Sequence, residues 1–128
     1  MMQDDHIIDL VSVAYDQKAY PAAAWADLTF DATMQIHMNG ERIDLIHFGA
    51  AYTTGDTAVI FRGTNAVHLG DVYNNAGFPF IDAGNGGSID GIIAFCSATL
   101  AEIDKDRWSF PATGPLQRIS TSRITLTY

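Results

Sequence analysis

A mixed α/β (α+β) domain is the fold class this sequence predicts, and three observations predict it. Apolar and polar residues alternate on both sides of Asn39-Gly40. Two short runs, Ala58–Phe61 and Ala66–Leu69, are almost continuously apolar. From Ser88 to about Asp104 the apolar residues recur at helical spacing. A period of two and a period of 3.6 therefore coexist in one chain of 128 residues.

Taken in order, Ile7, Leu10, Val11 and Ala14 recur at helical spacing, with Asp4 or Asp5 placed as a cap. They predict a helix over Asp5–Gln17, ended before Pro21. Ala22 to Trp25 reads as a connecting segment. From Thr33 the period becomes two. A type I′ turn at Asn39-Gly40 sets Ile36 opposite Ile43 and Met34 opposite Leu45, with His37 and Arg42 on the polar side. Ala58–Phe61 and Ala66–Leu69, joined through Gly63-Thr64-Asn65, read as paired strands covered on both faces. Residues 74–87 are too rich in Gly and Asn for a strand or helix and predict a long ordered loop. Ser88 then caps a helix whose apolar stripe is Ile89, Ile92, Ile93, Cys96, Leu100 and Ile103. Trp108 to Phe110 reads as a short strand, and Arg118–Tyr128 as an edge strand or a frayed tail.

The chain is 48% hydrophobic, enough for one domain spanning residues 1–128 with a real core. No apolar run approaches the ~20 residues that span a bilayer. The start is acidic rather than basic, so the expected location is cytoplasmic. One cysteine, Cys96, excludes an intrachain disulfide and any multi-cysteine zinc site. A net charge of −8, with seven Lys and Arg in all, excludes nucleic acid as a partner, because phosphate binding draws on clustered cations. The acidity suits a solvated surface; a cation-attracting cleft is the sharper reading.

Five segments carry a family resemblance. They are Ile46-His47-Phe48-Gly49-Ala50-Ala51-Tyr52-Thr53-Thr54-Gly55-Asp56, Val67-His68-Leu69-Gly70-Asp71, Phe78-Pro79-Phe80-Ile81-Asp82, Gly86-Gly87-Ser88-Ile89-Asp90-Gly91 and Pro111-Ala112-Thr113-Gly114-Pro115. In order and spacing, residues 28–116 resemble the C-terminal half of a metallo-β-lactamase-fold hydrolase. The resemblance implies half of an αβ/βα sandwich: a mixed, mostly antiparallel sheet with helices on one face. It also implies that the facing half is missing, so that the N-terminal helix or a second copy must cover the sheet. The second copy is the expectation, giving a homodimer that completes the sandwich.

The family holds two zinc ions on a His-x-His-x-Asp-His motif, a further His, a bridging Asp and a final His. This sequence has no such motif. Tyr52 and Thr113 stand where the resemblance places ligand histidines, and Asp71 alone keeps its metal position. A lone carboxylate does not hold a catalytic zinc, which needs about three protein ligands. The expectation is therefore a non-catalytic protein without cofactor, an interaction or small-ligand module. Its rim would be His47, Tyr52, Asp56 and Asp71 with the loop 74–85. The alternative is a zinc-dependent hydrolase rebuilt across the homodimer from Asp71 with His47 or His68 of both chains.

The remaining polar residues have plainer readings. His47 and His68 are expected to be hydrogen-bonded beneath the surface, His6 and His37 exposed, and Asp71 to accept hydrogen bonds from the neighbouring loop. Cys96 on the buried stripe is an inert thiol. The Gly84-to-Gly87 segment lacks the Lys and Ser/Thr of a phosphate loop and reads as structural. Asp82 and Asp90 show no shared site.

Overall fold

In the computed structural model the described residues are 6–10, 13–74, 77–78, 80–103, 107–110 and 117–119. The chain first forms β1 (His6–Leu10) and β2 (Val13–Gln17), paired antiparallel with Ile8 opposite Tyr15 and Leu10 opposite Val13. This replaces the helix expected over Asp5–Gln17. The spacing of Ile7, Leu10 and Ala14 fits a helix. The composition leans the other way, because the β-branched or aromatic Ile7, Ile8, Val13 and Tyr15 prefer the pleated surface. Ala22–Ala24 make one 3-10 turn, and the Trp25 indole donates to the Tyr20 carbonyl at 3.0 Å.

The main sheet has six strands in sequential order: β3 (Thr33–Met38), β4 (Glu41–Ile46), β5 (Ala58–Phe61), β6 (Ala66–His68), β7 (Arg107–Phe110) and β8 (Gln117–Ile119). Every neighbouring pair is antiparallel except β6 and β7. A parallel pair needs a crossover, and α1 (Ile89–Glu102) lies within it. The class is thus a mixed sheet, mostly antiparallel, with one helix.

The β3–β4 hairpin turns on Asn39 and Gly40 with φ of 52° and 77°. Two positive φ values make the primed turn whose twist matches its strands. The register is the expected one, Ile36 with Ile43 and Met34 with Leu45. In the next turn Asn65 takes φ 54°, and the Glu41 carboxylate accepts from the Gly63 and Thr64 amides.

One face of the sheet packs on α1. Ala58, Ile60, Val67, Leu69, Ile92 and Phe95 are buried together, and Phe48 meets Phe95 edge-on at 5.5 Å. The Ser88 hydroxyl accepts from the Gly91 amide and starts the helix. Gly91 lies so close to the Ala50 carbonyl that a Cβ would collide with it. The buried stripe is rotated from the expected one: Phe95 and Thr99 lie inside, while Ile89 is 59% exposed. Thr99 is buried because its hydroxyl donates to the Phe95 carbonyl at 2.9 Å. The stripe Ile92, Phe95, Thr99 is then a regular helical face.

Beyond the helix, this same face is closed by charge. Asp44 is buried and accepts from Arg42 at 2.8 Å and Arg62 at 2.6 Å. Arg62 also donates to the Glu102 carbonyl at 2.8 Å, placing a cation on the last turn of α1. The hydrogen bonds from Arg42, followed by those from Arg62, hold the Asp44 carboxyl below its ordinary range despite burial.

The opposite face is built differently. The register aligns Ile36, Ile43, Phe61, Ala66 and Trp108 in one row, and Met34, Leu45, Val59, His68 and Phe110 in a second. From β3 to β6 every side chain in these rows is half-buried except Ala66, which is buried. Nine of the ten positions are apolar, yet the described core cluster includes only Ala58, Ile60, Val67 and their partners on the helix side. Among the described residues, no helix is long and apolar enough to cross a membrane.

Candidate functional site

Two loops meet at the end of the sheet where the sequence placed a binding rim. The first leaves β4 at His47, whose amide donates to the Ala32 carbonyl at 2.8 Å. Gly49, at φ 114°, gives the chain a turn that a side chain would strain. Asp56 then organises the loop. Its carboxylate accepts from the amides of Ala51 at 3.1 Å and Thr53 at 2.8 Å. Its carbonyl lies 2.7 Å from His47 Nδ1. A carbonyl can only accept, so that nitrogen carries the imidazole proton.

The second loop is tied to the first by main-chain bonds. Asp82 donates its amide to the Tyr52 carbonyl at 3.1 Å, Ser88 to Ala51 at 2.9 Å, and Thr54 to Asn85 at 3.1 Å. A Cβ on Gly87 would strike the Tyr52 carbonyl, so this approach requires glycine. Asp82 is the hub. Its side chain is buried and accepts from the Asn85 amide at 3.2 Å, while its carbonyl accepts from Gly87 at 2.9 Å. The sequence reading assigned Asp82 no role. An Asp followed by Gly and Asn is nonetheless the pattern of an Asx-type turn, which would have marked it.

Tyr52 sits where the loops join. It is half-buried, and its ring meets that of Phe80 with centroids 6.0 Å apart and planes at 50°. Burial pushes the phenol above its ordinary pKa, and the charges of Asp71, Asp82 and Asp56 add to the effect. Tyr52, Asp56 and Asp71 therefore lie in one neighbourhood with Asp82, and His47 joins it through Asp56. His68 is turned to other work: its Nδ1 accepts from the Gly70 amide at 3.0 Å, at the start of the 3-10 turn Gly70–Val72. Asp71 on that turn is exposed, and residues 75, 76 and 79 of the loop expected to satisfy it lie outside the described residues. Thr113 lies outside the described residues.

Among the described residues these donors do not assemble a zinc centre. Zinc takes three or four ligands converging at about 2 Å, and among the described residues no three of His, Cys, Asp or Glu converge so. His47 and His68 each spend Nδ1 on the main chain, and Asp56 spends its carboxylate on two amides. Cys96 is partly buried on α1, and burial pushes its thiol up, away from the reactive thiolate. What the loop end does offer is a junction tied by main-chain bonds that carries the Tyr52 and Phe80 rings and the exposed Asp71 carboxylate. No protein-family model matches this chain, and no curated protein matches it significantly.

Proposed function

We propose that this chain is a non-catalytic interaction module, a half-sandwich whose second sheet face is covered by the same face of a second copy. The observation that carries the reading is the pair of apolar rows that the register aligns across β3 to β7, whose side chains from β3 to β6 are half-buried apart from the buried Ala66. Strands of six, six, four and three residues, at about 3.3 Å per residue and about 4.8 Å between strands, present a face of roughly 300 Å² in projection. That falls within the ~300–600 Å² of the largest apolar patch on a monomer. Each partner of a standard interface gives ~800 Å², so the four strands would form its centre, widened by β7 and the side chains around them. A twofold axis sets each row against its own copy, so one surface serves both partners. The resemblance to half of a metallo-β-lactamase fold supports the same arrangement, since that sandwich has two pseudo-symmetric halves. In this reading the loop end bearing His47, Tyr52, Asp56 and Asp71 stays outside the interface, free for a small ligand.

The test is Phe61→Glu, which places a charge in the middle of the face without touching the helix side. Light scattering should give the chain mass for the variant and a higher mass for the parent, with the same far-UV circular dichroism. Equal masses for the two proteins refute the reading.

A further inference from the structure

Asparagine precedes glycine at two places in this chain, Asn39-Gly40 and Asn85-Gly86. In that dipeptide the side-chain amide is most open to attack by the next backbone nitrogen, because glycine puts no Cβ in the way. The two steps are alike in sequence and differ in the fold.

Asn85 is half-buried, and both atoms of the would-be reaction are held. A carboxylate only accepts, so it is the side-chain nitrogen, the leaving group, that donates to Asp82 at 2.5 Å. The Gly86 nitrogen, the attacking atom, donates to the Ala83 carbonyl at 3.2 Å. The Asn85 carbonyl accepts from the Thr54 amide at 3.1 Å, so turning this peptide also parts the two loops. Asn39 and Gly40, by contrast, are both exposed. They form the tip of the β3–β4 hairpin beyond its closing pair, Met38 and Glu41, so the tip can open without breaking the ladder below it. A Cβ on Gly40 would meet nothing within 4 Å.

We propose that Asn39 is a site of spontaneous deamidation whose product loosens the β3–β4 hairpin, and that the fold protects Asn85 from the same reaction. The Gly40 nitrogen bonds to the side-chain carbonyl carbon of Asn39. The bond from that carbon to the side-chain nitrogen breaks, and ammonia leaves with the proton that the Gly40 nitrogen gave up. Water then adds to either carbonyl of the cyclic imide. One opening gives aspartate; the other gives isoaspartate, in which the main chain runs through the former side chain. Isoaspartate adds a methylene to a turn built on φ values of 52° and 77° at Asn39 and Gly40. The new carboxylate also stands two positions before Glu41, whose own carboxylate accepts from the Gly63 and Thr64 amides. Neither Asn39 nor Gly40 belongs to the apolar rows, so the inference does not depend on self-association.

The test is incubation of the full chain at mildly alkaline pH, folded and in concentrated urea, followed by peptide mapping with mass spectrometry. In urea the two steps should convert at similar rates, since the dipeptide is the same. In the folded chain Asn39 should convert at least about tenfold faster, because the bonds on Asn85 and Gly86 each favour the closed loop about fivefold and must open first. The product at position 39 should include isoaspartate, read by enzymatic carboxyl methylation. The deamidated fraction, separated by its added negative charge, should lose hydrogen-exchange protection in β3 and β4 while α1 keeps its own. Equal conversion of the two residues in the folded chain, or an Asn39 that stays intact while the urea-unfolded chain converts, would overturn the proposal. So would aspartate as the sole product, or unchanged protection of β3 and β4.

Discussion

The two faces of one sheet are covered by different means. On the helix side, α1 buries Ile60, Val67 and Phe95 to near-zero exposure, and an ion cluster on Asp44 closes what the helix does not reach. On the other side, residues of the same kind, Ile43, Leu45, Val59 and Phe61, stop at half-burial. Both faces are apolar, so composition does not separate them. The difference lies in connectivity: the one parallel step, β6 to β7, brings a helix to one face only. An antiparallel sheet that is solvated on one side normally alternates apolar and polar residues, and β5 does not. This is the face that the proposed reading covers with a second copy.

The comparison is broken most strongly by the same truncation made on each face. Phe95→Ala removes a ring that is 1% exposed and should cost about 3–5 kcal/mol in urea unfolding. Phe61→Ala in dilute protein should cost about 1 kcal/mol, because a half-exposed ring leaves little cavity behind. Equal losses would mean that the second face is closed within the chain.

A smaller effect sharpens the account of the helix-side face. Asp44 has a lowered pKa, so its native carboxylate binds protons less readily than the unfolded one. Its contribution is complete above the ordinary carboxylate value of about 4 and is lost as pH falls through the lower native value. Asp44→Asn should cost about 2 kcal/mol at pH 7, since Arg42 and Arg62 lose a partner but partly regain water. The variant should also show a flatter decline of stability below pH 4. A parallel decline in parent and variant would assign the acid sensitivity elsewhere. Smallest is Ser88→Ala, which deletes the cap on Gly91 and should cost about 1 kcal/mol in the same assay. No change would show that the Ala50–Gly91 contact alone positions the helix start.

Much of this architecture can be read from the sequence where one local signal dominates. Asn39-Gly40 fixes the β3–β4 turn, and that turn fixes the register; Ser88 fixes the start of α1. The N-terminal segment was illegible because five-residue runs such as His6–Leu10 satisfy both periods. The phase of α1 is hidden because Thr99 counts as polar in a sequence, whereas its hydroxyl is satisfied by its own helix. At the loop end, a rim at His47, Tyr52, Asp56 and Asp71 could be proposed from resemblance to a family motif. The role of Asp82 could not, since it depends on main-chain bonds between loops 30 residues apart in sequence, Tyr52 to Asp82. The open face shows the same limit: the sequence marks each strand as apolar, but only the register aligns those residues into two continuous rows.

Sedimentation equilibrium of the unmodified chain over a micromolar concentration range tests the central claim most directly. Closure of the second face by a second copy predicts a species of twice the 13.9 kDa chain mass, dissociating only on dilution. A single species at 13.9 kDa throughout that range would contradict it.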